Sequence, residues 1–268
     1  MNKLYLLLAL ILSLNINAQE RLFFIGYTKN YFSKDSTNVT FNFDLNRIPG
    51  SSEKIAGTYL YNGTLKNDKF GLYLKPTADI NIGSGTTTAP NNINVGLPLG
   101  FAYDGIPYSE VIFEIGPEMV ADKNFDNYLF YGSAGLFLRY EYKNDILFNL
   151  STGANISHGT RTYSDEIQKA NGYSRFTIPT YVKFCFWNAS KDDEHYYKVH
   201  LTNTFKFNNV FEDNNVITPD PHMIFNTTKL DLYIIPQLAI SAQYQYGYEE
   251  PLFKKIKSLS LGISFAKF

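Results

Sequence analysis

The chain has 268 residues, with 24 basic against 25 acidic side chains and a formal net charge of −1. That balance lacks the basic excess that nucleic-acid binding requires. A single cysteine, Cys185, excludes an internal disulfide, and nothing beyond the N-terminal region approaches the ~18 apolar residues of a membrane helix. Aromatic residues are abundant instead, with 21 Tyr and 22 Phe. Such rings suit a boundary between an apolar phase and water.

In chain order, residues 1–18 come first. Lys3 is followed by an apolar run from Leu4 to Leu14, interrupted only by Ser13, and then by Asn15-Ile16-Asn17-Ala18. This pattern predicts a secretory signal peptide cut after Ala18, leaving 19–268 as one exported domain. The loss of Lys3 makes the net charge −2.

Strands follow. The pattern predicts them at 22–32, 37–47, 55–65, 69–82, 93–103, 109–120, 128–142, 145–157, 173–187, 196–210, 228–248 and 256–268. Turn residues separate them, among them Pro49-Gly50, Asn67-Asp68, Asp104-Gly105 and Asn144-Asp145. Between Val39 and Asn46 every odd position is apolar and every even one polar. A period of two places the apolar side chains on one face of a strand. The same division sets Val111, Phe113 and Ile115 against Glu110, Glu114 and Glu118. It sets Phe176, Ile178, Val182, Phe184 and Phe186 against Arg175, Thr177, Tyr181 and Lys183. It sets Val199, Leu201, Phe205 and Phe207 against Lys198, His200, Thr202, Thr204 and Lys206.

Soluble β-sandwiches also alternate, but their strands average about 5–6 residues. Most of these segments are long enough for a tilted crossing of a bilayer, which takes about 9–11 residues. The expected fold is therefore all-β, an antiparallel transmembrane barrel of about twelve strands, within 10–14. Short and long connections alternate along the chain, as in barrels with turns at one end and loops at the other. Twelve such strands with the long loops outside would end the last strand on the loop side. A break of 228–248 at Pro236, with 22–32 outside the barrel, repairs this, and so does placing the long loops on the periplasmic side. Unbroken alternation through Leu230, Leu232, Ile234, Leu238 and Ile240 argues against the break.

The strand repeat, the leader and the end Leu259-Ser260-Leu261-Gly262-Ile263-Ser264-Phe265-Ala266-Lys267-Phe268 resemble the bacterial outer-membrane β-barrel proteins as a broad class. The resemblance implies outer-membrane residence in contact with lipid and lipopolysaccharide. It also implies that Phe268 serves as the terminal aromatic signal read by the barrel-assembly machinery. Phe268 departs from the pattern in being out of phase with Phe265, Ile263 and Leu261.

The polar face suggests a lumen. Glu110, Glu114 and Glu118 form an acidic ladder; Arg175, Lys183, Lys198, His200 and Lys206 form a basic one on two later strands. Opposed charge across water sets up a transverse field that selects ions. A passive, porin-like passage for small polar solutes is thus the first expectation. The alternative is a closed lumen in which these charges pair, with the barrel a structural, assembly or interaction partner. A membrane-lipid hydrolase is the third reading, and no enzyme activity is expected. Adjacent Ser157 and His158 would point to opposite faces, and the other histidines, His195, His200 and His222, have no metal-ligand spacing. No metal or other cofactor is expected.

Overall fold

The computed structural model describes residues 21–31, 38–45, 58–65, 68–83, 91–122, 125–162, 171–191, 194–213, 222–250 and 254–266. The predicted leader at 1–18 and Phe268 lie outside the described residues.

Every regular element among the described residues is a strand. The first seven are β1 (Arg21–Asn30), β2 (Asn38–Leu45), β3 (Thr58–Leu65), β4 (Asp68–Leu74), β5 (Thr77–Gly83), β6 (Asn91–Gly96) and β7 (Leu99–Ile106). Then come β8 (Ser109–Ala121), β9 (Tyr128–Lys143), β10 (Leu147–Thr162), β11 (Asn171–Lys191) and β12 (Glu194–Asp213). The last three are β13 (His222–Ile235), β14 (Leu238–Glu249) and β15 (Lys254–Ala266).

All pairings are antiparallel, and they close on themselves into a barrel of twelve staves. β1 pairs with both β2 and β15, which brings Tyr27 opposite Leu261. β8 pairs with β9 along its whole length on one edge; on the other it pairs with β7 and then β6. β6 and β7 are therefore one stave, bent at Leu97-Pro98. β4 and β5 are likewise one stave, bent at Lys75-Pro76, with β7 and β6 as successive partners. The bends align: Lys75 N–H donates to Pro98 O at 2.9 Å, and Leu97 N–H to Pro117 O at 3.1 Å. Proline lacks the N–H a ladder needs. Pro76, Pro98 and Pro117 thus crease three neighbouring staves along one line.

Several sequence expectations need correction. The segment 69–82 is the pair β4 and β5, and 93–103 falls in β6 and β7, for the reason just given. The segment 55–65 is no full stave: β3 pairs only with β4. Asp104-Gly105 lies inside β7, and the turn is Pro107-Tyr108, where Tyr108 takes a φ of 60°. Most informative is 228–248, which is two strands with a turn at Pro236-Gln237, while 22–32 belongs to the ring. A two-residue turn alone pairs odd with even positions, as in Ile235 with Leu238; the bulge between Tyr233 and Ile235 adds the one residue that restores parity, so Leu232 faces Ile240 and Leu230 faces Ala242 on one face. The apolar pattern crosses the hairpin without a break, which is why alternation concealed it.

With that hairpin the parity closes. The outer ends of β1 and β15 lie together with the short turns at 107–108, 144–146 and 236–237. Outer-membrane barrels keep such turns at the periplasmic end and longer loops outside. The opposite rim is the loop end.

Faces follow the sequence reading. Ile25, Phe113, Leu136, Ile156, Leu232, Ile240, Leu261 and Ile263 are exposed on the outside. Thr28, Asn42, Ser151, Lys183, Ser241, Gln243 and Ser260 are buried inside. Thr40 Oγ1 donates to Thr28 Oγ1 at 2.6 Å, and Thr28 and Ser260 hydroxyls meet at 2.6 Å, stitching the β1–β15 seam from within. Gly26 and Gly262 face each other there, and a Cβ on Gly262 would lie 2.5 Å from Gly26 Cα. Only glycine permits that approach.

Candidate functional site: the barrel interior

The alternation of β8 turns Glu110, Glu114 and Glu118 inward, one above another. Each meets a different set of partners. Glu110 accepts from Arg139 Nη1 on β9 at 3.3 Å, and Arg139 also pairs with Glu141. Glu114 accepts from Lys75 Nζ at 3.2 Å and from Tyr73 Oη at 3.0 Å. Glu118 accepts from Ser133 Oγ at 2.6 Å and Tyr131 Oη at 3.1 Å. Lys75 follows the inward phase of Gly71 and Tyr73 on β4 and sits at the bend before Pro76. Its side chain is only 2% exposed.

The basic residues are less uniform than the sequence suggests. Arg175 is buried; it donates to Tyr131 Oη at 2.7 Å, lies 4.7 Å from the centre of that ring and pairs with Glu250. Tyr131 thus links Arg175 to Glu118, joining the two ladders through one phenol. Lys206 lines the interior on β12. Lys183 is buried between Asn149 and Thr202 in the ladder. His200 stands nearer the turn end, its ring 4.5 Å from that of Tyr233. Lys198 lies apart from the interior group, 5.1 Å from the ring of Trp187, which is exposed.

Glu114, Glu118 and Lys75 on one wall and Arg175 and Lys206 on the other line a shared cavity of about 100 Å³. That is room for a few waters. Toward the loop end the interior turns apolar. Val120 on β8 and Leu129 and Tyr131 on β9 pack with Val210 on β12 and Met223 on β13. Two staves, β10 and β11, separate these groups around the ring, so the contact crosses the lumen. Met223 is 0% exposed and Val120 1%. Toward the turn end, Tyr73, Ala102, Ile112 and Phe137 make a second buried cluster. Sequence reasoning found the charged ladders but neither cluster, because Val120, Leu129 and Ile112 interrupt the polar phase and read as noise.

Outside the lumen, Ser157 is buried inward and His158 is exposed outward, as adjacency required. His158 Nδ1 lies 2.6 Å from Ser174 Oγ, its direct register partner on β11. The strand pattern gave no sign of this cross-strand pair. Among the described residues no group of three or more His, Cys, Asp or Glu is placed to hold a metal ion.

No family model matches the chain, and no curated protein matches it either. Solved structures do. A NanC porin is 9% identical, with a TM-score of 0.45 over 91% of this chain and 98% of that one. Outer membrane phospholipase A from Escherichia coli is 12% identical, with a TM-score of 0.44 over 91% and 90%. The beta domain of the Bordetella autotransporter BrkA is 11% identical, with a TM-score of 0.36 over 91% and 96%. Independently of those likenesses, twelve closed antiparallel staves with apolar side chains outward and polar ones inward give this chain the architecture of a transmembrane β-barrel.

Proposed function

We propose that the barrel is closed in its resting form and serves the outer membrane as a structural and interaction element, acting through its rims and outer surface. The observation that carries this reading is the apolar contact of Val120, Leu129 and Tyr131 with Val210 and Met223 across the lumen. Water and ions do not cross a packed apolar layer. The pairing of Glu114 with Lys75 and of Arg175 with Glu250 supports it further, since both pairs are withdrawn from solvent. Barrels of few strands are filled by side chains, and clear channels come with wider rings.

The second reading is passive passage of small hydrophilic solutes. It is favoured by the cavity in which Glu114 and Glu118 face Arg175 and Lys206. Planar-bilayer recording of the purified protein decides between them. The closed reading expects no steady conductance in wild type, and a conducting state when Val120 and Met223 are both changed to Ser. Steady ohmic conductance in wild type would overturn the closed reading in favour of passage.

A further inference from the structure

At the loop end, charge is sorted by face. β1 carries Lys29 at its last outward position, with Tyr31 just beyond, and β15 opens with outward Lys255 and Lys257. Register sets Lys257 opposite Tyr246 and Lys255 opposite Tyr248, while Tyr31 N–H donates to Lys257 O at 2.7 Å. The ammonium groups of Lys29 and Lys257 lie 5.5 and 5.8 Å from the centre of the one Tyr31 ring. That of Lys255 lies 5.8 Å from the Tyr246 ring. Three cations and their phenols thus share one contiguous outward patch on β1, β15 and β14. Among the described residues, none of the three lysines pairs with a carboxylate.

Glu249 and Glu250, which precede Lys255 and Lys257 in the chain, face the other way. Glu249 accepts from Asn92 Nδ2 and lines an interior cavity, and Glu250 pairs with Arg175 inside. Like charges gathered without counter-charge repel, and more strongly beside an apolar phase than in bulk water. The patch directly adjoins the apolar outer band at Tyr27, Leu261 and Ile263. Its lysines are therefore at the height where acyl chains give way to headgroups.

We propose that Lys29, Lys255 and Lys257, framed by Tyr31 and Tyr246, bind the phosphate groups of an outer-leaflet glycolipid of the lipid A type. Multiple phosphates on one rigid sugar backbone match three fixed cations, whereas a two-chain phospholipid such as phosphatidylglycerol brings a single phosphate. The tyrosines offer hydroxyl donors to phosphate and ring faces to sugar.

The test uses the purified full-length barrel in neutral detergent, with lipid retained per barrel read by native mass spectrometry. Diphosphoryl lipid A is the probe; dephosphorylated lipid A and phosphatidylglycerol are the comparison arms. Wild type is expected to hold diphosphoryl lipid A, and to lose about a hundredfold in affinity in the triple variant Lys29→Gln, Lys255→Gln, Lys257→Gln, at about fivefold per lysine. The Lys→Arg counterpart keeps binding, and Lys143→Gln at the turn end leaves it unchanged. The lipid arms require only wild type, so a triple variant that fails to assemble does not shield the proposal. Equal retention of dephosphorylated lipid A, or of phosphatidylglycerol, would overturn it, as would undiminished binding by an assembled triple variant.

Discussion

Neutralising the three acids of β8 one at a time should produce a graded loss of stability. Glu114 is the extreme case. Its partner Lys75 is 2% exposed, and Glu114 itself is 12% exposed. Glu114→Gln removes the carboxylate and leaves a buried ammonium facing a neutral amide. Breaking one side of such a pair costs about 3–5 kcal/mol. Glu118→Gln keeps an acceptor for Ser133 and Tyr131 and exchanges charged hydrogen bonds for neutral ones, at about 1–2 kcal/mol. Glu110 is 28% exposed, and Arg139 retains Glu141, so Glu110→Gln should cost about 1 kcal/mol or less. Urea unfolding in detergent micelles at neutral pH, followed by tryptophan fluorescence and heat-modified gel mobility, reads all three. The double variant Lys75→Met, Glu114→Gln should recover most of the loss, because replacing both partners of a buried pair is close to neutral. A water-filled lumen predicts that all three single variants lie within about 1 kcal/mol of wild type. That result would refute the reasoning about a closed interior.

Three further outcomes are expected. Phe113 is exposed on the outer face between Phe101 and Leu136, so Phe113→Arg should destabilise the assembled barrel by about 2–4 kcal/mol; Asp145→Arg in an exposed turn should not, as measured by the fraction of heat-modifiable protein in outer membranes. Gly262→Val should block closure of the seam against β1, detected as loss of the compact unheated gel form, since its Cβ would meet Gly26 Cα and Ile25 O. A fluorophosphonate probe should leave the protein unlabelled, and labelling that vanishes in Ser174→Ala would make the His158–Ser174 pair a nucleophile and its base.

The sequence made the faces legible. Phe176 to Phe186 outward against Arg175 to Lys183 inward, and Ser258 to Ser264 inward on β15, stand where alternation put them, because a twofold period has one reading once a strand is extended. What it concealed were places where backbone chemistry resets direction without disturbing that period. Pro236-Gln237 turned the chain while a bulge beside it kept parity, and the bends at Pro76 and Pro98 cut staves whose apolar rhythm continued. The acid ladder was visible, but its partners were not. Lys75 lies just past the end of β4, at a bend, and Tyr131 meets Arg175 across the intervening strand β10. The cross-lumen cluster that holds Val120 and Met223 joins residues whose strands are not neighbours, and no local pattern encodes that.

The seam between β1 and β15 has a consequence for how the molecule is made. Its two sides are separated by almost the whole chain, with Tyr27 opposite Leu261. During synthesis the free edge of β1 exists long before its partner. An unpaired strand edge recruits other strands, its own or a neighbour's. The entropy of joining such distant segments grows only slowly with length, so the burden falls on time and on protection. The glycine pair Gly26 and Gly262 tolerates no offset, and the Thr40–Thr28–Ser260 hydroxyl chain completes only when both sides have arrived. The edge of the first strand therefore has to stay out of reach of other strands until the last one arrives to cover it.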